Sequence, residues 1–198
     1  TPAAATNSSN LVICTVDHGI ARLELNRPDA RNALSLDLIR ALGATVRELA
    51  PRCTPGADGG TAPEVRVLVL SGRGRAFCAG MDLKAVASDP AAMGEMLREL
   101  SRVNRSIRRL PVPTIAQVQG AAVGGGCGLM VGCDFAFTHA EAKVGYPQLA
   151  LGVCPAGVAP WLIRKIGAGP ARAMLLAGGT MSGEAGFRAG LATHLVPE

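Results

Sequence analysis

The sequence predicts a single mixed α/β domain in which short apolar strands alternate with helices. The chain has 198 residues, 48% of them hydrophobic and 18% charged, so it is long enough to bury one substantial core. The prediction depends on three patterns: an alternating apolar pair of segments at the start, continuous β-branched runs, and apolar side chains that recur every three to four residues. These patterns leave open whether the strands form an open sheet or a coiled stack of ββα turns.

The first quarter of the chain predicts a β-hairpin followed by a helix. Segments 12–16 and 20–25 are apolar or alternating and flank a short polar turn, which is typical of two paired strands. Ser35 or Asp37 is placed to cap a helix whose apolar residues recur at helical spacing. We expect that helix to end at Pro51.

The middle of the chain predicts further strands and a long helix. A glycine- and proline-rich loop over 54–63 precedes the apolar run 65–71, which indicates a strand buried on both faces of a parallel sheet. An amphipathic pattern predicts a helix over 89–110, with Pro111 as its stop. Segments 114–118 and 134–137 predict two more strands.

The last third predicts short helices. Residues 129–131 begin or continue one helix, and segments 167–176 and 182–189 predict two more, the second of which is capped by Ser182. Trp161 lies in an apolar segment, 158–163, that we interpret as a helix face packed on the core.

The formal net charge of +5 comes largely from arginine, since only three of the 20 basic residues are lysines. Arginine makes forked contacts with phosphates and carboxylates, which favours an anionic ligand. Aromatic residues make up 3% of the chain, whereas single-stranded nucleic acid needs aromatic stacking platforms, so nucleic acid is disfavoured as a partner. His18, His139 and His194 show no spacing typical of a metal site, and no metal is predicted.

The cysteine pattern indicates a reducing compartment. The six cysteines show no CxxC spacing and lie mostly in apolar or glycine-rich runs, so we expect buried free thiols. Residues 1–10 are polar and predict a flexible segment without a leader, followed by one core domain over 11–198. No apolar run approaches the roughly 20 residues of a membrane helix. We therefore expect a soluble protein of the cytoplasm or mitochondrial matrix that does not bind membranes.

Two glycine-containing segments, 72–83 and 120–128, are the most informative part of the sequence. Glycine and small residues after a strand can leave backbone N–H groups bare, and two such donors that meet at one point form an oxyanion hole. Taken singly, each segment has an equally good structural explanation in tight turns or close helix packing. The second lacks a full GxGxxG order because Leu129 takes the last glycine position, and no GK[ST] triplet is present, so nucleotide binding is weakly supported.

Together the segments resemble those of the crotonase (enoyl-CoA hydratase/isomerase) family. The matching motifs follow the family order along nearly the whole chain: Leu25-Asn26-Arg27-Pro28, Asn32-Ala33-Leu34, 77–83, 124–127, Cys133-Asp134, 151–155, Ile166-Gly167 and Gly190-Leu191. The resemblance implies a ββα superhelix and a lyase or isomerase of fatty acid metabolism that acts on acyl-CoA thioesters. It also implies a homotrimer or hexamer, with coenzyme A as part of the substrate and no permanent cofactor. Family members usually continue past Gly190-Leu191 into C-terminal helices, which we expect to be absent here.

The resemblance also implies roles for particular residues. The backbone N–H groups of Met81 and Gly125 occupy the positions of the two oxyanion-hole donors. The positions that match the segments lining coenzyme A are Arg31, Ala33, Ala79, Gly80 and Asp82. Arg31 suits a phosphate, although an exposed loop charge explains it equally well. Asp82 is interpreted first as the cap of a helix that begins near Leu83.

The sequence departs from the family where an acid and a base are needed. The two glutamates of typical hydratases align with Gly128 and Gln148, and an aspartate used by some relatives aligns with Ala156. None of these can take a proton from water, so we expect weak or absent hydration. The other protic groups expected near the site are Asp82, Cys127, Tyr146 and Cys154. A noncatalytic acyl-CoA-binding or assembly protein is the alternative hypothesis, and an RNA-binding protein is a third.

Overall fold

The computed structural model describes residues 11–56, 61–82 and 89–197. Within these residues, nine strands form two sheets. The strands are β1 (Val12–Asp17), β2 (Ile20–Leu25), β3 (Val67–Gly72), β4 (Thr114–Val118), β5 (Ala121–Val123), β6 (Phe135–Thr138), β7 (Lys143–Gly145), β8 (Thr180–Ser182) and β9 (His194–Leu195). The larger sheet has the order β1-β2-β3-β4-β6-β9, and the smaller one has the order β5-β7-β8. The predicted α/β class is confirmed.

Six α-helices accompany the strands in the described residues. They are α1 (Leu36–Leu49), α2 (Pro90–Arg108), α3 (Gly125–Gly132), α4 (Ala159–Ile166), α5 (Ala168–Ala177) and α6 (Gly183–Arg188). The predicted caps are confirmed for two helices. In α1 the Ser35 hydroxyl accepts a hydrogen bond from the Leu38 N–H at 3.2 Å, and in α6 the Ser182 hydroxyl accepts one from the Ala185 N–H. Asp89 caps α2 with two hydrogen bonds of 3.0 Å.

The hairpin opens an otherwise parallel sheet. β1 pairs with β2 antiparallel, and the contacts β2–β3, β3–β4, β4–β6 and β6–β9 are parallel. Parallel neighbours need crossover connections, which the helices supply. The core contains Leu23, Leu38, Leu68, Phe77 and Met130, each fully buried. Strand β3 leads into the first glycine segment and its parallel neighbour β4 leads into the second, which brings the two segments to one place.

Several predictions about elements are corrected by the structure. Strand β3 is fully buried on one face only, because Leu68, Leu70 and Gly72 are buried while the residues between them are partly exposed. Helix α3 runs from Gly125 to Gly132, so residues 129–131 continue a helix, which was one of the two predicted alternatives. The small sheet was not predicted at all, since its strands are only three residues long and carry little periodicity.

The cysteine prediction is correct for four of the six thiols. Cys53, Cys78, Cys127 and Cys133 are free and buried, whereas Cys14 and Cys154 are free and exposed. Cys14 is an exposed residue of the edge strand β1, and Cys154 lies in a loop. The predicted flexible segment 1–10, part of the loop 54–63, and the helix expected near Leu83 lie outside the described residues.

Candidate active site

The two glycine segments lie side by side and are hydrogen-bonded to each other. Cys78 N–H donates to the Ala121 carbonyl at 2.8 Å, and Val123 N–H donates to the Cys78 carbonyl at 3.0 Å. Phe77 N–H adds a third bond, to the Gln119 carbonyl at 2.8 Å. The expectation that both turns converge on one point is therefore supported by direct backbone pairing.

The first turn leaves the Met81 N–H without a backbone partner. Leu34 N–H donates to the Gly80 carbonyl at 2.7 Å, and Asp82 N–H donates to the Leu34 carbonyl at 3.0 Å. These bonds hold the residues on both sides of Met81, whose own N–H has no backbone acceptor within the described residues. Gly80 has a φ of +101°, and a Cβ there would lie 2.9 Å from the Val123 carbonyl oxygen. Glycine is needed at this position both for its conformation and for its size.

The second turn leads into the amino end of α3. Gly124 has a φ of +53°, and its N–H donates to the Gly145 carbonyl at 2.8 Å. Gly125 is the first residue of α3, so its N–H has no partner within the helix, and none is recorded elsewhere in the described residues. The free N–H groups and the aligned peptide dipoles make this end of α3 positive. It is therefore suited to an oxygen that carries negative charge.

His139 supports the second turn from outside. Its Nε2 accepts a hydrogen bond from the Gly120 N–H at 3.1 Å, and the residue is buried. This contact gives one of the three histidines a structural role that the sequence did not reveal. Within the described residues, no group of three or more His, Cys, Asp or Glu side chains is arranged to hold a metal ion.

Met81 and Gly125 open into the same cavity, which has a volume of about 140 Å³. A Cβ built on Gly125 would lie 3.4 Å from Cγ of Met81, so the two residues adjoin. We call the part formed by Met81, Gly124 and Gly125 the backbone wall. The part formed by Gln148, Cys154 and Val158 is the side-chain wall.

The side-chain wall has few polar groups. Besides Gln148 and Cys154, the described residues that line the cavity are glycine or apolar, so the described lining contains no acidic, basic or histidine side chain. The Gln148 Oε1 is buried without a hydrogen-bond partner in the described chain, and it lies 3.6 Å from a Cβ built on Gly124. A buried acceptor without a donor is costly, so a ligand or water that donates there would be stabilised.

The position of the first missing carboxylate is physically filled. A Cβ built on Gly128 would lie 2.4 Å from Cγ1 of Val158. Val158 is 4% exposed and lines the cavity, so its side chain takes the space that a longer residue at position 128 would need. Ala156 is exposed and does not line the cavity.

The five residues expected to contact coenzyme A lie around one interlocked pair of loops. The Ala79 N–H donates to the Arg31 carbonyl at 3.0 Å. Arg27 connects two other members, since its Nη1 donates to the Ala33 carbonyl at 2.6 Å and its Nη2 donates to Asp82 Oδ2 at 3.2 Å. Arg31 itself is exposed and has a φ of +51°. The structure thus brings Arg31, Ala33, Ala79, Gly80 and Asp82 together.

Arg27 and Asn32 were not singled out from the sequence as positioning residues. Asn32 is fully buried, and its Nδ2 donates to the carbonyls of Arg73 and Ala76 at 3.0 and 2.8 Å. Its Oδ1 accepts from the Arg27 N–H at 2.9 Å. The only signal was a polar residue inside a motif, and a polar side chain in a turn has many explanations.

Of the four protic groups expected near the site, only Cys154 lines the cavity. Burial raises the pKa of Cys127 to about 11 and raises the pKa of Tyr146 well above its ordinary value. Both groups are therefore neutral at pH 7, and neither lines the cavity. The Asp82 carboxylate is paired with Arg27, which makes it a structural group in the loops.

A family model described as enoyl-CoA hydratase/isomerase matches residues 15–198 of the chain. An enoyl-CoA isomerase/hydratase from Mycosarcoma maydis is 34% identical over 183 residues, which cover 90% of this chain and 66% of that protein. A crotonyl-CoA hydratase from Syntrophomonas wolfei is 33% identical over 188 residues, which cover 93% of this chain and 68% of that protein. The chain thus spans about two thirds of the length of these curated relatives.

Solved structures show the same fold. AtuE from Pseudomonas aeruginosa superposes with a TM-score of 0.85 at 32% identity, covering 95% of this chain and 70% of that one. An enoyl-CoA hydratase from Mycobacterium smegmatis gives a TM-score of 0.83 at 33% identity, covering 94% of this chain and 70% of that one.

None of the helices in the described residues combines the length and apolar character needed to cross a membrane.

Proposed function

Because the chain belongs to the enoyl-CoA hydratase/isomerase family, we propose that it binds an acyl-CoA thioester and stabilises the enolate form of that thioester. The proposed oxyanion hole consists of the N–H groups of Met81 and Gly125. The observation that carries the proposal is that both groups lack backbone acceptors in the described chain and line one cavity.

The chemistry follows from the fixed geometry of these donors. When a proton or another group leaves the α-carbon of a thioester, negative charge develops on the carbonyl oxygen. Two preorganised N–H groups stabilise that charge more strongly than they stabilise the neutral carbonyl. Removing one such donor typically raises the activation free energy by about 3 kcal/mol. The apolar side chains around the cavity strengthen these bonds because they exclude water.

The loops around Arg27 are proposed to hold the coenzyme A portion. Ala79 and Gly80 line the cavity beside Met81, and Arg27 joins Ala33 and Asp82 to each other. Arg31 is exposed at the edge of these loops, where its guanidinium could pair with a phosphate. Coenzyme A would thus be bound as part of the substrate, with no permanent cofactor.

Hydration of a simple enoyl-CoA is expected to be weak or absent. Water addition needs a general acid or base at the water, and loss of that group lowers the rate by a factor of about 10² to 10⁴. Gly128 supplies no side chain, and Val158 fills the space beside it. Gln148 cannot accept a proton at neutral pH, but its amide could orient a water or the substrate carbonyl.

The same side-chain wall supports a second candidate, a noncatalytic acyl-CoA-binding or assembly protein. Acyl-CoA affinity without turnover of enoyl, 3-enoyl, malonyl and hydroxyacyl thioesters would favour it, whereas decarboxylation or isomerisation would exclude it. We further propose that the full assembly is a homotrimer or hexamer, which light scattering of the purified protein would test.

The oxyanion hole can be tested without knowing the reaction. Isotope-edited infrared spectra of crotonyl-CoA with a ¹³C-labelled carbonyl would show a lower stretching frequency on binding if two donors polarise that carbonyl. Gly125→Pro removes one donor, and proline is tolerated at the first residue of a helix. The shift is expected to shrink in that variant.

Gly125→Ala is the matched control, because it adds a Cβ at the same place and keeps the N–H. That Cβ would lie 3.0 Å from the methyl groups of Leu34 and Leu100, so small side-chain movements accommodate it in both variants. A bound thioester with an unshifted carbonyl band in the wild type would overturn the proposal. Crotonyl-CoA hydration at the rate of an ordinary hydratase would overturn the interpretation of Gly128 and Gln148.

A further inference from the structure

A strongly basic groove lies at the carboxyl ends of α2 and α4, outside the cavity of the proposed site. The groove has a volume of about 340 Å³ and continues into a smaller pocket of about 190 Å³. Arg108, Trp161 and Arg164 line both. Arg105 and Arg109 add to the groove and Lys165 adds to the smaller pocket. None of these residues lines the cavity beside Met81.

The positive charge in the groove is largely uncompensated. Among the described residues, five cationic side chains line the two spaces, and Asp134 is the single lining carboxylate. That carboxylate is already used, because it pairs with Arg108 and accepts from the Thr114 N–H and hydroxyl at 2.9 and 2.8 Å. None of the other four cations forms an ion pair with a described residue.

Helix dipoles explain part of this arrangement but not all of it. Arg105, Arg108, Arg164 and Lys165 lie in the last turns of their helices, where cations are favoured by the negative carboxyl end. Each helix end carries about half a negative charge. The ends of α2, α3 and α4 together therefore offset about one and a half of the four cations that Asp134 leaves unpaired. A net positive field remains in the groove.

The cationic side chains of the groove lie close together, beside the buried ring of Trp161. Arg105 is three residues before Arg108 and four before Arg109, so all three extend from neighbouring positions of α2. Lys165 Nζ donates to the carbonyls of Cys133 and Asp134 at 3.2 and 2.9 Å, which fixes that ammonium group. Trp161 is 8% exposed, and its ring lowers the local dielectric and strengthens the field of the cations beside it.

Burial is the main reason why the pKa of Lys165 is lowered, and the like charge of Arg108 contributes to the lowering. A ligand that carries several negative charges would relieve this repulsion.

We propose that the basic groove binds a pyrophosphate group, either free or as part of a nucleotide. Guanidinium groups bind phosphate oxygens through forked, charge-assisted hydrogen bonds. The net positive charge that remains after the helix ends are counted matches a ligand with several negative charges better than a singly charged anion. The groove is therefore a second anion site, separate from the acyl-CoA site in position and in chemistry.

The test is a calorimetric titration of the whole chain with sodium pyrophosphate at constant ionic strength. We expect saturable binding at one site in the wild type. The variant Arg105→Gln/Arg164→Gln removes two groove cations from exposed positions and should weaken that binding at least tenfold. Its unfolding temperature is measured alongside, to show that the fold is kept.

The control Arg98→Gln/Arg102→Gln removes the same charge from exposed positions on α2 that do not line the groove. It should change the affinity less than twofold. The proposal is overturned if the wild type shows no saturable binding, or if both double variants lose affinity equally, since that result would mean nonspecific attraction. Saturable binding of ADP that competes with pyrophosphate would identify a nucleotide as the source, whereas binding of pyrophosphate alone would identify the free anion.

Discussion

The two glycine segments that carry the backbone wall are paired through contacts that leave no room for a side chain at two of their glycines, whereas the described residues of the side-chain wall include no carboxylate. At Gly80 and Gly126 an added Cβ would lie 2.9 Å and 2.4 Å from a carbonyl oxygen of the opposite glycine segment. At Gly128 the obstacle is the Val158 side chain. Backbone atoms cannot yield without moving the fold, but a valine can be replaced.

This difference separates two parts of the function. The oxyanion donors depend on backbone position, so they persist as long as the two glycine segments remain paired. Proton transfer depends on the identity of individual side chains, and single substitutions remove it without a large effect on the fold. The chain therefore combines an intact proposed oxyanion hole with a cavity that has no carboxylate in its described lining.

The most demanding test rebuilds the side-chain wall. The variant Gly128→Glu/Gln148→Glu/Val158→Ala places carboxylates at both missing positions and removes the Val158 methyl that would lie 2.4 Å from the new Cβ. We expect crotonyl-CoA hydration to rise by about 10² to 10⁴ over the wild type. The assay follows the loss of enoyl absorbance.

The control for this variant is Gln148→Glu/Val158→Ala, which opens the same space without the first carboxylate. It should show no more than a small part of the gain. Gly128→Glu alone should be destabilised by about 3 kcal/mol or more, because it overpacks the site and buries an unpaired carboxylate. A triple variant that folds and binds butyryl-CoA but gains no hydration would contradict our interpretation of this wall.

A second test breaks the backbone wall. Gly126→Ala places a Cβ 2.4 Å from the Cys78 carbonyl oxygen and 2.7 Å from the Cys78 Cβ. The two glycine segments must then separate, and we expect a loss of about 3 kcal/mol in the free energy of unfolding, measured by denaturant titration. Gly169→Ala, where no atom lies within 4 Å of the new Cβ, should leave stability unchanged or raise it slightly. Equal effects of the two substitutions would contradict the tight pairing of the segments.

A third, smaller effect is expected at the loops that support the backbone wall. Asp82→Asn removes the charge that pairs with Arg27, where both side chains are 25% exposed. We expect a loss of about 1 kcal/mol in stability, because the pair is partly buried and its hydrogen bond is charge-assisted. The exposed pair of Arg188 and Glu184 is the comparison, and Glu184→Gln should cost about 0.3 kcal/mol. If Asp82→Asn cost no more than that, the Arg27 contact would not hold these loops.

The backbone wall was predictable from sequence to a degree that the side-chain wall was not. Glycines that follow apolar runs mark turns in which N–H groups are bare, so segments 72–83 and 120–128 could be identified from residue type and order. That Val158 fills the space beside Gly128 depends on a contact between α3 and the residue just before α4, which no local pattern encodes. The basic groove was invisible for the same reason, since its arginines come from two helices more than 50 residues apart.

The two exposed thiols provide a last comparison between the cavity and the rest of the surface. Cys154 lines the cavity, whereas Cys14 lies on the edge strand β1. Burial raises the pKa of Cys78 and Cys133 to about 12, so these thiols are neutral and shielded at pH 8. We expect a disulfide reagent to modify Cys14 and Cys154 in the native protein and all six cysteines after denaturation.

In a Cys14→Ser variant, butyryl-CoA should slow the remaining reaction of the reagent with Cys154 severalfold, because its acyl group would cover the Cys154 sulfur. In a Cys154→Ser variant, the reaction of Cys14 should be unaffected by butyryl-CoA. If bound butyryl-CoA left Cys154 fully reactive, the acyl group would not lie against the side-chain wall.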